Sequence, residues 1–157
     1  MSLLDAAITG GTELAAALGV APPASWPPEH NGPEVFAWVR GLIEQHPDQP
    51  GWNTWFIVGD GALCGTGGHK GPPDAEGSVE IGYSVIPSAQ RRGFASAAVN
   101  LLVARAFRDG RVHNVRAETL PDGLASQAVL LRCGFVHAGT RLDPDDGEVV
   151  CFTRQRS

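Results

Sequence analysis

Basic residues are in short supply in this chain. Twelve Lys and Arg stand against 17 Asp and Glu, for a net charge of −5. A surface built to hold nucleic acid shows the opposite balance, so no nucleic-acid partner is expected, although residues 90–92 form a local basic patch. Cysteine is scarcer: Cys64, Cys133 and Cys151 lie far apart with no Cys-x-x-Cys spacing. An odd, scattered set excludes a disulfide framework and reads as reduced thiols in a cytoplasmic protein. The five histidines, His30, His46, His69, His113 and His137, show no metal-ligand spacing, so no metal is expected. The opening Met1-Ser2-Leu3-Leu4-Asp5 lacks the basic stretch and long apolar run of a signal peptide. No uninterrupted apolar run is long enough to span a bilayer, so no membrane association is expected.

What is present is an ordinary globular composition. The 157 residues are 43% hydrophobic and 18% charged, enough for one domain with a sizeable core over residues 1–157. A short extended lead-in precedes a helix that Thr12 and Glu13 can start, with Leu14, Ala15, Ala17 and Leu18 on its apolar side and Gly19 at its end. Residues 21–33 hold Pro22, Pro23, Pro27, Pro28 and Pro33, which excludes a regular helix or an inner strand. That stretch reads as a connecting loop with Trp26 tucked against the core; the alternative is a loop lining a substrate site. Residues 34–46 repeat apolar side chains at helical spacing (Val35, Trp38, Val39, Leu42, Ile43). Residues 54–58 and 62–68 form a hairpin around Gly59-Asp60-Gly61, and Gly65, Gly67 and Gly68 mark a bulge in its second strand. Residues 78–86 are the clearest strand, closed by Pro87, and residues 93–108 the clearest helix. A strand (112–120), a short helix (125–132) stopped by Gly134, and two strands (135–138 and 149–153) joined through the acidic turn 143–148 complete a mixed α/β (α+β) domain on one sheet.

Between the best strand and the best helix lies Gln90-Arg91-Arg92-Gly93-Phe94-Ala95. Strand, short loop and helix in this order can hold a phosphate, because the first N–H groups of a helix have no partner within it and the helix dipole favours an anion there. Gly93 allows close approach of the backbone, and Arg91 and Arg92 add charge and forked donors. The Lys-Ser/Thr ending of a Walker loop is missing, and so are the two partner glycines of a dinucleotide fingerprint. By itself the loop is a generic pyrophosphate cradle.

Its surroundings are more specific. Glu80-Ile81-Gly82-Tyr83-Ser84-Val85, Pro87 and Gln90-x-x-Gly93-x-Ala95 are followed by Ala117-Glu118-Thr119, Pro121, Ala125-Ser126, Val129-Leu130 and Cys133-Gly134-Phe135. Together they resemble the acetyl-CoA-binding core of the GCN5-related N-acetyltransferase (GNAT) superfamily, most closely the branch of the ribosomal-protein N-terminal acetyltransferases. The resemblance covers residues 54–153 well and the N-terminal third loosely. It implies a GNAT fold: a mixed, mostly antiparallel central sheet with a splayed strand pair and flanking helices. Residues 1–53 would supply N-terminal helices and acceptor-side loops, and residues 54–157 the sheet and the acetyl-CoA site. The strand 78–86 would splay from its neighbour near Val85, and exposed backbone groups at Val85 and Ile86 would pair with the pantetheine arm as an added strand does. The loop Gln90, Arg91, Arg92, Gly93, Phe94, Ala95 and on to Ser96 would wrap the pyrophosphate, with the N–H groups of Arg92, Gly93, Ala95 and Ser96 as donors.

The activity implied is acetyl transfer from acetyl-CoA to a primary amine, a protein N-terminus or a small molecule, by direct attack in a ternary complex. The alternative is a non-catalytic acyl-CoA-binding or sensory module. An attacking amine must be neutral, so a base is needed, and Glu80 is the candidate; its bland alternative is pairing with a nearby cation. A backbone N–H around Val85 would polarise the thioester carbonyl. The sequence departs from the family pattern twice. Gly123 stands where an Asn often contacts the pantetheine arm, and Leu130 where a Tyr often protonates the leaving thiolate. Ser126 is then the nearest hydroxyl, its alternative role being a helix-start cap; solvent is a further proton source. Glu80 and Tyr83 should face opposite sides of their strand. Cys133 reads as packing, His69 as a surface strand end beside Lys70, its alternative being to line a substrate cleft, and most of the four tryptophans as core, with one or two walling the acceptor site. The expected partners are acetyl-CoA and an amine acceptor, in a monomer or homodimer.

Overall fold

The computed structural model describes residues 2–29 and 31–157. Met1 and His30, and the readings that involve them, lie outside the described residues. Ser2 caps the first helix α1 (Leu3–Thr9): its hydroxyl accepts from the Asp5 amide at 3.1 Å while the Asp5 carboxylate accepts from the Ser2 amide. This reciprocal box replaces the extended lead-in expected from the sequence. The chain turns at Gly10 into α2 (Gly11–Leu18), which ends at Gly19 in the left-handed region, and Pro33 opens α3 (Pro33–Gln45). Six strands follow: β1 (Thr54–Gly59), β2 (Ala62–His69), β3 (Ser78–Val85), β4 (Asn114–Thr119), β5 (Val136–Asp143) and β6 (Gly147–Gln155). Helix α4 (Phe94–Phe107) lies between β3 and β4, and α5 (Leu124–Arg132) between β4 and β5.

The strands form one sheet in the order β1-β2-β3-β4-β6-β5. All pairs are antiparallel except β3 and β4. Glycine makes the β1–β2–β3 end possible. A Cβ on Gly65 would stand 2.1 Å from the Ser84 carbonyl oxygen, and one on Gly68 would stand 2.5 Å from that of Asn53, so no side chain fits at either place. The register of β1 against β2 slips between Ile57 and Val58, beside Gly65, where the glycines suggested a bulge. The β5–β6 hairpin is longer than expected. Its turn is held by the Asp143 carboxylate, which accepts from the amides of Asp145 and Asp146 at 2.9 and 3.1 Å.

Two apolar groups anchor this frame. Val99, Leu102, Val103 and Ala106 of α4 and Leu130 of α5 pack on Val79, Ile81, Val115, Ala117 and Phe152 of the sheet, together with Phe135. Ala6, Ala7, Leu14, Ala15 and Phe36 of the first three helices close around Leu63 at the β1–β2 end. Trp26 packs there too, stacked on Phe36 with ring centres 6.2 Å apart, so the bland reading of that residue holds. Trp52 is buried, whereas Trp38 and Trp55 are each half exposed, so the tryptophans are not mostly core. His69 corrects the sequence reading. It is not a surface strand end but is buried beneath α4, with Nε2 3.0 Å from the Leu102 carbonyl oxygen and Trp52 edge-on to its ring. Its flanking glycines and Lys70 resemble a strand end; the helix that covers it is distant in sequence.

Candidate active site

The site begins where a parallel ladder stops. β3 and β4 pair from Ser78↔Asn114 to Ile81↔Ala117 and no further, although β3 runs on to Val85 and β4 to Thr119. The strands therefore part from Gly82, three residues before the point expected near Val85. Residues 82–85 keep their partners on β2, from Gly68↔Gly82 to Gly65↔Val85, so one edge of this stretch is fixed and the other faces the gap.

The loop at the end of the gap is shaped by its backbone. Pro87–Ala89 makes one 3-10 turn, and the Gln90 side-chain amide donates to the Val85 carbonyl at 3.0 Å, tying the loop back to the strand. Arg91 adopts φ +61° and Gly93 φ +84°, a left-handed conformation that only glycine accepts freely. α4 then starts with Gly93 as its cap and no side chain on its first amides; the first backbone bond of the helix runs from the Ala97 amide to the Gly93 carbonyl at 3.0 Å. The amides of Phe94, Ala95 and Ser96 thus precede the first intrahelical bond, at the positive end of the dipole. A Cβ on Gly93 would have no atom within 4 Å. An open, uncapped helix start behind two left-handed residues fits an anionic group such as a pyrophosphate.

The side chains of the loop divide. Arg91 is exposed, while Arg92 is pulled to the β1–β2 turn, where it pairs with Asp60 and lies 4.8 Å from the centre of the Phe94 ring. Phe94 and Ala95 pack against Cys64, Val85, Ile86 and Ala89. Ile86 is buried and its amide donates to the Cys64 carbonyl at 2.9 Å. Its backbone donor is therefore engaged, and so is the Gln90 side chain.

The two faces of β3 diverge in chemistry. Val79, Ile81 and Tyr83 point to α4 and α5. Tyr83 Oη lies 2.8 Å from Ser126 Oγ and 3.1 Å from the Ser126 carbonyl oxygen. Burial raises the Tyr83 pKa to about 12, against the opposing effect of the Ser126 hydrogen bond. Ser126 is not a helix-start cap: Gly123 holds that position without a side-chain bond, and Ser126 lies within α5. The sequence named Ser126 but not its partner, because Tyr83 is 43 residues away. Leu130, at the position often held by Tyr, is fully buried. Thr119, at the end of β4, is buried, and its hydroxyl has no partner among the described residues.

On the other face of β3, Glu80 accepts from Lys70 Nζ at 3.1 Å, and Ser84 Oγ donates to the Glu29 carbonyl at 3.0 Å. Glu80 and Tyr83 do face opposite sides. Thr66 Oγ1 donates to Asn31 Oδ1 at 2.9 Å, so the proline-rich loop is seated on β2 and β3 beside this polar face. Further along the same face, Arg116 lies 3.6 Å from Asp74, and Arg141 binds Glu118 through two bonds of 2.6 and 2.7 Å. A separate cleft of about 500 Å³ lies away from these groups, between Leu3, Leu4, Leu18 and Ile43 and the edge strand residues Trp55 and Phe56.

These features define a class: an α/β domain whose mixed sheet parts at its parallel pair, with an anion-receptive helix start at the parting and a carboxylate on the far face. Comparison with known proteins names the family. The acetyltransferase (GNAT) domain profile matches residues 14–136, so the chain belongs to the GNAT family of N-acetyltransferases. An uncharacterized N-acetyltransferase of Bacillus subtilis is 29% identical over 136 residues, which span 85% of this chain and 80% of that protein. Among solved structures, the ribosomal-protein-S5-alanine acetyltransferase of Vibrio fischeri superposes with a TM-score of 0.68 at 20% identity, over 97% of this chain and 88% of the other. The spermidine N-acetyltransferase of Vibrio cholerae, solved with CoA and spermine, superposes with a TM-score of 0.62 at 17% identity, over 80% and 78% of the two chains. Among the described residues no helix is long and apolar enough to cross a membrane.

Proposed function

We propose that this N-acetyltransferase moves an acetyl group from acetyl-CoA to a cationic primary amine by direct attack in a ternary complex. The observation that carries the reading is the parting of β3 from β4 after Ile81, with the uncapped start of α4 beside it and Glu80 on the opposite face. Acetyl-CoA supplies the activated acetyl group. The amides of Gly93, Phe94, Ala95 and Ser96 hold its pyrophosphate, and the free edge of residues 82–85 takes the pantetheine arm as a strand takes a partner. Arg91 adds charge at the rim; Arg92, paired with Asp60, shapes the loop instead. The acceptor arrives on the polar face, where Glu80 binds its ammonium and takes the proton that must leave before attack.

The proton for the departing thiolate comes from the helix side or from solvent. Tyr83 alone is a poor donor, since a phenol held near 12 stays protonated beside a thiol of ordinary pKa near 8.5. Ser126, hydrogen-bonded to Tyr83, is positioned by it. The S5-alanine and spermidine enzymes act, by their names, on an alanine of a ribosomal protein and on a polyamine; a polyamine is a cationic amine, and the acidic balance of this chain suits such an acceptor. The test is thiol release from acetyl-CoA over a panel of amines, paired with calorimetric titration of acetyl-CoA. Saturable binding and turnover with cationic primary amines are expected. No binding heat would remove the cofactor assignment, and binding without turnover by any amine would remove the acceptor assignment.

A further inference from the structure

The chain contains one lysine. Eleven of its twelve Lys and Arg residues are arginine, and the exception is Lys70. Its side chain meets the candidate base: Nζ lies 3.1 Å from Glu80 Oε1. Its backbone is fixed to the same residue, the Lys70 amide donating to the Glu80 carbonyl at 2.8 Å. The stem crosses Gly82, whose added Cβ would stand 3.4 Å from Lys70 Cε, and Gly82 is the first residue past the last β3–β4 pair. A primary ammonium on a four-carbon stem thus lies over β3 at Gly82, where the gap begins, and binds the Glu80 carboxylate two residues before it. The neighbouring arginines of this face have other partners: Arg116 stands by Asp74, and Arg141 by Glu118 and Asp143.

We propose that Lys70 occupies, in cis, the place of the acceptor's ammonium, so that an acceptor binds by displacing it from Glu80. The inference rests on the reading of Glu80 as the acceptor-side base. An ammonium is a compact charge with three donors, the same group that a primary amine acceptor presents, whereas a guanidinium would grip the carboxylate through a planar fork. The pair is partly exposed, with side-chain exposures of 44% for Lys70 and 21% for Glu80, so it is weak enough to open. Lys70 is then a specificity-determining residue. Neutral molecules of the same shape leave the ion pair closed, and a cation exchanges with it one for one. Glu80 is thus paired with Lys70 until the acceptor's ammonium replaces it, and it becomes neutral once it has taken the acceptor's proton.

Because the chain has a single lysine, protein labelled with ¹³C at lysine Cε gives one nuclear magnetic resonance signal for this side chain. The signal should differ between wild type and Glu80→Gln. Excess butylamine should move the wild-type signal toward the Glu80→Gln position, and neither butanol nor sodium chloride at matched ionic strength should do so. In turnover assays, Lys70→Met should lower KM for butylamine about two- to fivefold, the range one exposed ion pair accounts for, with the change carried by KM rather than kcat. Lys70→Arg should raise it. A wild-type signal identical to that of Glu80→Gln overturns the inference, as does a signal that butylamine does not move or a KM that Lys70→Met leaves alone. If no amine is turned over while the signal still answers to Glu80→Gln and butylamine, the acetyl-transfer reading fails and the occupancy of Glu80 by Lys70 stands.

Discussion

The two faces of β3 are built from alternate residues of one eight-residue strand, yet they obey different rules. On one side Val79 and Ile81 are buried under α4 and α5, and Tyr83 spends its hydroxyl on Ser126. On the other, Glu80 and Ser84 bond to Lys70 and to the Glu29 carbonyl. The helix side supplies the frame, and a change of volume there is expected to cost stability. On the polar side, substitution is expected to cost little stability, because its ion pair is partly exposed. Where β3 leaves β4, the two sides meet through the gap, and in the proposed function that is where an acyl group held from one side is reached by an amine from the other.

Substitutions should separate the two sides. Glu80→Gln should lower kcat/KM by about 10²- to 10⁴-fold, the range for loss of a general base, while thermal stability shifts little because its ion pair is partly exposed. A stopped-flow or steady-state assay beside a melting curve checks both; a large loss of stability would blur the contrast. Ile81→Ala should do the reverse. A fully buried large-to-small change costs about 2–5 kcal/mol, visible in denaturant unfolding, and acetyl-CoA affinity should fall only as the folded fraction falls. Gly93→Val should weaken acetyl-CoA binding about tenfold or more, since the new side chain stands at the helix start in a left-handed conformation costing about 1–2 kcal/mol. Binding calorimetry reads the first effect and unfolding the second. Tyr83→Phe should cost about 0.5–1.5 kcal/mol through its lost hydrogen bond to Ser126 and reduce kcat modestly; an unaltered rate would show that the pair only braces α5.

The smallest expected effect is on pH dependence. Burial lowers the His69 pKa, helped by Arg105 and opposed by the bond to the Leu102 carbonyl. The unfolded chain, with a histidine near 6.5, then binds the proton more readily than the folded one. Stability from this group is complete above about pH 6.5 and is lost as pH falls below it toward the depressed folded value. His69→Gln should flatten this part of the melting temperature curve between neutral and mildly acid pH, relative to wild type.

Much of the frame was legible because it rests on local pattern. The strand at Ser78, the helix at Phe94 and the glycine loop between them carry periodicity and turn signals within a short window. The long reach of β5 was not, since most of its residues are exposed and carry no alternation that marks a buried face. Helix α1 was hidden in a short stretch whose start depends on a capping box, Ser2 with Asp5, rather than on a long apolar stripe. At the site, Glu80, Gly93 and Ser126 could be named from their motifs. Lys70 on Glu80, Tyr83 on Ser126 and Arg92 on Asp60 could not be read the same way, because those pairings are set by register and by packing between elements 10, 43 and 32 residues apart.

In the proposed function acetyl-CoA binds in the gap between β3 and β4, at the start of α4. Titration of acetyl-CoA followed through backbone amide signals tests it most directly. Saturable shifts concentrated at residues 82–85 and 91–96, with the helices α1 to α3 little affected, are the expected result. Shifts centred on the cleft between Leu3, Ile43 and Trp55, or none at all, would contradict it.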